Sequence, residues 1–475
     1  MSRTSCLFPV LVSVVLLTAA ASGARPRYGG VLRVETQATL RSVDPSIDVA
    51  DAGDAWLRDI ILPQVFETLV TVGPDGVQPA LARSWARDPD GTAWRFQLRP
   101  AVRLHDGTLL DATQLASSLA RSIPGVAVNS DAGGVTIETH GDRADLLWEL
   151  ADTRHAIVVR GADGELLGTG PFRVSRLERN RLALAAHDGY WGGRPFLDGI
   201  RVEFGRALQT QLTNLETGRA DLVSVQPVDV RRLGQRGLPI SQSRPIELAA
   251  LVFEPHRAAR LDLPLRRTLA AAIDRDVMVR VLLQGRAAAA TALLPAWLSG
   301  YPPSVVAGAA TPVARTAIAR LPADRRTMVL RVNAGDAVAR AIADRIAVDA
   351  RDAGFLMTVQ APTGLAPRAD VRLVRIRLAA TTPERALAAL TGTLGARTLL
   401  TLSREPPPAS GAPVDAVARF ERALLEPFVI VPIVHLPMLV AGGSHLQVFE
   451  GSLVRPTGGW NLADVWLTPD EGRQP

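Results

Sequence analysis

The sequence predicts an α/β protein with more than one α/β unit, and three stretches carry that expectation. Trp94, Phe96 and Leu98 alternate with Arg95, Gln97 and Arg99, the period of two that gives a strand one buried face. An apolar strand from Met328 to Val332 leads to Val338, Ile342 and Ile346 at helical spacing, a stop at Gly354 and a second strand from Phe355 to Val359. Between these, Leu265, Leu269, Ile273, Val277 and Val281 recur at every fourth residue, which predicts one helix running to Gly285. At 475 residues, 47% apolar and 21% charged, the chain is globular in composition and long enough for two to three domains.

The chain begins Met1-Ser2-Arg3-Thr4-Ser5-Cys6, followed by an apolar run from Leu7 to Leu17 and small residues from Ala19 to Ala24. A basic start, an apolar stretch too short to span a bilayer and a small-residue site predict a secretory signal over residues 1–24, cleaved after Ala21 or Ala24; an uncleaved anchor is the alternative. Cys6, the single cysteine, precedes the apolar run, whereas lipid attachment needs a cysteine just after it, so a released periplasmic or extracellular protein is expected. A mature chain without Cys6 can form neither a disulfide nor a thiolate metal site nor a cysteine nucleophile. The net charge is +6, yet every basic residue is arginine and the arginines are interspersed with acids. No basic stripe interleaved with aromatics is present, so a nucleic-acid partner is not expected. The absence of lysine excludes a Walker-type phosphate loop and Schiff-base chemistry, since both require that amine.

In chain order, Tyr28-Gly29-Gly30 leads into a short strand from Val31 to Val34, and Leu40 to Pro45 ends in Asp44-Pro45. Gln64 to Val70 reads as a helix passing into a strand. Asp88-Pro89-Asp90-Gly91 is strong turn chemistry, because proline fixes one dihedral and glycine accepts a positive φ. After a second turn at His105-Asp106-Gly107, Asp111 stands three residues before Gln114 as a capping pair for a helix bearing Leu115 and Leu119. Gly168-Thr169-Gly170-Pro171-Phe172 is a rigid turn, either structural or with amides facing a ligand. Tyr190 and Trp191 in Asp188 to Pro195 read as core aromatics. Leu248 to Glu254 is an apolar strand, Arg286 to Arg325 an irregular stretch, and Asp370 to Arg377 a strand. A helix from Asp415 to Leu425, a strand from Pro427 to His435 and a terminal element over Gly459 to Trp466 complete the chain.

Several of these blocks together carry a resemblance. Leu81-Ala82, Ser84-Trp85, the Asp90-Gly91 turn, Trp94-x-Phe96-x-Leu98-Arg99 and His105-Asp106-Gly107 resemble the signature of bacterial extracellular solute-binding proteins of family 5. So do the Gly-Thr-Gly-Pro loop, Tyr190-Trp191 with Pro195, Leu197-Asp198-x-Ile200, and the helix that begins Leu265-Arg266-Arg267-Thr268-Leu269. The resemblance runs from Gly29 to Leu467. It implies a type II periplasmic-binding-protein fold, with two α/β lobes, a hinge, a central ligand cleft and a small accessory subdomain in the first lobe. The implied division is a first lobe over 25–247 with the accessory subdomain at about 66–160, a second lobe over 248–438, and a return to the first lobe over 439–475. Two departures stand out: Phe253-Glu254 replaces the family's Phe-Asn, and no tryptophan or acidic Tyr-Pro-Asp-Pro loop follows the strand ending at Arg377.

The resemblance implies a receptor that captures a peptide-like or other small solute between its lobes and delivers it to the permease subunits of an ABC importer, as a monomer, with no catalytic step and no cofactor. A non-transport sensor or chaperone-like envelope protein on the same scaffold is the alternative. The seven histidines are scattered, with no His-x-x-x-His or Glu-x-x-His pair, so no metal site is expected. No Gly-x-Ser-x-Gly elbow offers a hydrolase nucleophile. His435 is weighed as a cleft ligand against a structural histidine, and the structural reading is favoured. By the family's placement, Glu35, Thr36 and Gln37 follow the first strand into the cleft. Glu254 and Arg377 lie near the lobe crossing and at a second-lobe strand end, and Trp297 and Trp460 are the aromatic candidates.

Overall fold

The computed structural model describes residues 25–47, 52–73, 76–123, 125–131, 133–139, 143, 145–254, 261–301, 318, 320–362, 369–378, 382–394, 408–409 and 412–469. The expected secretory signal with Cys6 lies outside these residues. The described chain is organised by one eleven-stranded sheet whose centre is a pair of long antiparallel strands, Ile240–Phe253 going out and Ile430–Gly442 returning. On one side of the pair come Leu222–Ser224, Val31–Glu35, Gly199–Glu203, Arg181–Ala186 and Phe172–Glu178; on the other come Val371–Arg377, Thr327–Arg331 and Leu356–Gln360; the eleventh strand, Ala288–Ala289, pairs with the returning strand off this path. The returning strand is apolar and buried along nearly its whole length, and the outgoing one is so from Leu248 to Phe253, as strands covered on two faces must be; its first part carries Ser241, Gln242 and Arg244 and is only partly buried. They extend farther than the sequence pattern suggested, the outgoing one starting at Ile240 instead of Leu248.

Each flank has its own core. In the first lobe Leu32, Val34, Ile200 and Val202 pack on helix Ala52–Val65 through Leu57, Ile60 and Ile61. The second lobe has two layers. Helix Ala337–Asp352 covers one sheet face with Val338, Ile342 and Ile346, and helices Pro383–Leu394 and Val414–Leu425 cover the other with Leu387, Leu390 and Leu424. The βαβ unit expected from Met328 to Val359 is present and parallel, and Gly354 ends its helix at φ 95°.

A third, smaller core lies in a four-stranded sheet of order Ala82–Arg87, Ala93–Leu98, Gly134–Glu138, Ala127–Ser130. There Trp94 and Phe96 meet Leu115 and Leu119 of helix Ala112–Ser122. The expected cap is present in full: Asp111 accepts from the Gln114 backbone N–H at 2.7 Å and the Gln114 side chain accepts from Asp111 N–H at 3.1 Å. Gly91 closes its turn at φ 73° with its N–H on the Asp88 carbonyl at 2.8 Å.

The helix expected to run unbroken to Gly285 is broken. Helix Leu263–Ala272 ends at Ile273, which is extended at ψ 116°, and Asp274 caps a new turn by accepting from Val277 N–H at 2.9 Å. The Asp274 N–H is drawn instead to Asp349 Oδ2 at 3.1 Å, so a tertiary acceptor outbids the intrahelical carbonyl. Beyond the break the chain winds as a π-helix over Met278–Leu282 and turns Val281 to solvent, with 71% of it exposed.

Candidate ligand cleft

Strand direction builds the cleft. Leu222↔Gly442 and Ser224↔Val440 pair antiparallel to the returning strand, so the parallel strands of the first lobe end towards the second. Glu247↔Arg377 pairs antiparallel to the outgoing strand, so Val371–Arg377 and its parallel neighbours end towards the first lobe. Two sets of carboxyl strand ends therefore face each other, the arrangement in which open α/β sheets bind ligands. Glu35, Glu203 and Ser224 end one set; Arg331, Gln360 and Arg377 end the other.

Of the residues expected on the first-lobe wall, Gln37 is exposed at the turn after the strand. Thr36 is buried and shapes that turn, its Oγ1 accepting from Ala38 N–H at 3.1 Å and its own N–H donating to the Glu203 carbonyl at 3.0 Å. Glu35 is also buried. Its Oε1 accepts from Asn214 Nδ2 at 2.8 Å, while Oε2 has no hydrogen-bond partner among the described residues.

Arg377 reaches across the cleft. Its Nη2 lies 3.3 Å from Asp59 Oδ2 on helix Ala52–Val65, while Nε and Nη1 are buried without a hydrogen-bond partner among the described residues. Asp59 keeps 50% of its side chain accessible to water although protein atoms crowd it, the combination met on the wall of a cleft. That crowding pushes its carboxyl above the usual range, with Arg377 pulling it down and the like charge of Asp152 adding to the rise. Trp297, on the short helix Ala296–Ser299, is wedged between the first-lobe and second-lobe cores. Its Nε1 donates to the Pro245 carbonyl at 2.8 Å and the Arg244 guanidinium lies 5.6 Å from its ring.

Two expected site residues are carried away from this place. Phe253↔Val371 pairs the far end of the outgoing strand with the start of its neighbour, so Glu254 lies at the distal end of the second lobe, ion-paired to Arg372. Trp460 is 2% exposed inside the first-lobe core, edge-on to Trp56 at 6.4 Å, with its carbonyl taken by Gln64 Nε2 at 2.9 Å. His435 is structural: it is buried, its Nε2 lies 3.0 Å from the Leu293 carbonyl, and burial holds its pKa down at about 4. Sequence reasoning missed Asp59, Asp152 and Arg385, three ordinary helix and turn residues that no spacing rule marks. Among the described residues, no group of three or more His, Cys, Asp and Glu is placed to hold a metal ion, and no helix is long and apolar enough to cross a membrane.

The most legible motifs converge elsewhere, on a knot that ties the four-stranded subdomain to the first lobe. Glu67 accepts from Thr169 Oγ1 at 2.8 Å, Tyr190 Oη at 3.0 Å and Trp191 Nε1 at 2.9 Å. Arg99 covers the Trp191 ring at 4.2 Å. Burial pushes the Glu67 carboxyl up to about 7, against three donors that favour its anion. Beside it, His105 Nδ1 accepts from Gly168 N–H at 3.2 Å, and its ring stands edge-on to His187 at 5.1 Å. The Gly168 loop is therefore spent on packing: a Cβ there would meet the Val65 carbonyl oxygen at 2.1 Å.

Comparison with known proteins agrees with this architecture. The family model described as "Bacterial extracellular solute-binding proteins, family 5 Middle" matches residues 76–371. The nickel-binding protein NikA of Staphylococcus aureus is 26% identical over 243 residues, 47% of this chain and 49% of that protein. The dipeptide-binding protein of Escherichia coli is 21% identical over 277 residues, 48% of this chain and 52% of that one. The chain thus spans about half the length of these curated relatives. Among solved structures, the ABC transporter substrate-binding protein CtaP of Listeria monocytogenes superposes with a TM-score of 0.77 at 16% identity, over 93% of this chain and 100% of that one. The fold is accordingly the two-lobed type II periplasmic-binding-protein fold.

Proposed function

The chain belongs to the family-5 bacterial extracellular solute-binding proteins, and on that premise we propose that it captures a small peptide-like solute between its two lobes and presents it to the permease of an ABC importer. The observation that carries the reading is the meeting of two sets of carboxyl strand ends, where Arg377 brings buried guanidinium nitrogens with hydrogen-bonding capacity to spare. An anionic group of a solute would satisfy them, and Gln37, Glu35 and Trp297 stand near enough to the crossing to complete a polar site with one aromatic wall. Trapping proceeds by hinge motion about the two long strands, and the closed face is what a permease would read. The unit boundaries that suit this mechanism are a first lobe over 25–247 with its subdomain at about 66–160, a second lobe over 248–438 and a return over 439–475. The protein works outside the cytoplasm as a monomer, released by cleavage within residues 1–24.

A thermal-shift screen against di- and oligopeptides, amino acids, sugars and nickel chelates tests this. A ligand at a hundred times its dissociation constant stabilises the native state by about 2.7 kcal/mol. A hit confined to peptides and amino acids is the expected result. Silence across the library from a well-folded protein would sink it and favour a sensor or chaperone-like role.

A further inference from the structure

Four charged side chains face one another across the cleft, two acids from the first lobe with its subdomain and two arginines from the second. Arg377 Nη2 stands 3.3 Å from Asp59 Oδ2. Arg385 Nη1 stands 3.3 Å from Asp152 Oδ2 and 3.4 Å from the Trp148 carbonyl. All four are mounted on regular elements that must move with their own lobe. Arg377 ends the strand Val371–Arg377, Arg385 opens the helix Pro383–Leu394, Asp59 lies within Ala52–Val65, and Asp152 caps the turn Thr153–His155.

We propose that these two pairs form an electrostatic latch, so that closure of the cleft has a component set by ionic strength and independent of any solute. The inference rests on the two-lobe architecture and goes beyond solute capture. On the first-lobe side Asp59 and Asp152 sense each other's charge, and Arg154 Nη2 lies 3.1 Å from Asp152 Oδ2 within the same turn. Closing adds a second-lobe arginine to each acid. The pairs are also accessible enough to be screened, with side-chain exposures of 21% and 50% for Arg377 and Asp59 and of 18% and 34% for Arg385 and Asp152. A further lobe-to-lobe contact is neutral: Gln284 accepts from Arg231 N–H at 3.1 Å and donates to the Val228 carbonyl at 3.0 Å. Salt therefore acts on the charged contacts and spares this one.

The test is small-angle X-ray scattering of the purified protein, stripped of solute by unfolding and refolding, at about 0.01 M and about 1 M salt, between which the screening length falls from about 30 Å to about 3 Å. The radius of gyration of the wild type should rise at high salt. Asp59→Asn combined with Asp152→Asn should show the larger radius already at low salt. The swapped protein, Asp59→Arg with Arg377→Asp, should recover the compact radius that Asp59→Arg alone loses, with melting temperatures showing that each variant is folded. A wild-type radius unmoved by salt, a compact Asn pair, or a folded swap that stays expanded would each overturn the latch. Because no solute is present, failure here is separate from failure of the ligand screen.

Discussion

Around Glu67, three donors from two distant segments close on one carboxylate at 2.8 to 3.0 Å, whereas across the cleft Arg377 and Arg385 each meet a carboxylate at 3.3 Å and Arg377 keeps nitrogens unused. The Glu67 carboxylate is saturated and the Arg377 guanidinium is not. A saturated buried network fixes geometry and resists change, because each member lost strands the others. An unsaturated one can exchange its partners for those of a ligand. The motifs that mark this family in sequence sit in the knot or in the cores of the subdomain and second lobe, so they report the scaffold and say little about cargo.

The sharpest way to break the comparison is Gly168→Ala. The new Cβ would press on the Val65 carbonyl, which is backbone and cannot swing aside, and a loss of about 3 kcal/mol is expected, read as a lower urea midpoint at unchanged slope. Glu67→Ala should follow with about 2 kcal/mol, from three donors left without their acceptor. If either variant kept full stability while losing a solute hit, the knot would be part of the binding site after all.

Acid should act on the same contrast. Burial holds His105, His155 and His435 down at about 4, from an unfolded value near 6.5. A depressed histidine binds fewer protons folded than unfolded, so its contribution is whole above pH 6.5 and is lost as the pH falls towards 4. Glu67, raised by burial to about 7, runs the other way: its contribution is whole below about 4.5 and is lost as the pH rises through 7. Urea midpoints measured from pH 7 to pH 4 should fall less steeply in His435→Gln and more steeply in Glu67→Gln than in the wild type. Parallel curves for all three proteins would refute the assignment.

The smallest stability effects belong to the cleft. Arg377→Gln breaks one partly exposed pair and should cost no more than about 1 kcal/mol, and Gln37→Ala less than about 0.5 kcal/mol. Both should nevertheless weaken any solute found in the thermal screen, Arg377→Gln the more strongly. A large drop in melting temperature with unchanged solute affinity would reverse the roles given to the two regions.

Legibility followed the same division. The Asp111 cap, the Gly91 turn, the Trp94–Phe96 alternation and the βαβ unit from Met328 to Val359 were all readable, since each obeys a rule acting over a few neighbouring residues or along one apolar face. The helix through Ile273 was misread because Asp349, on another helix, takes the Asp274 N–H. Glu254 and Trp460 were placed by analogy of position, and register and core packing carried them elsewhere.

By itself, then, the sequence determined most of the local elements and their caps, because helical and strand periodicities are written in neighbouring residues, while the order of its motifs carried the resemblance that implies the two-lobed fold. Only the tertiary structure decided what lines the cleft. Arg385 and Asp152 are 233 residues apart and meet only because a pair of crossing strands sets one lobe's strand ends against the other's. Nothing local distinguishes those two residues from any other arginine and aspartate on a surface. Their significance comes from the electrostatics of a gap between two bodies, and that gap exists only once both bodies have folded.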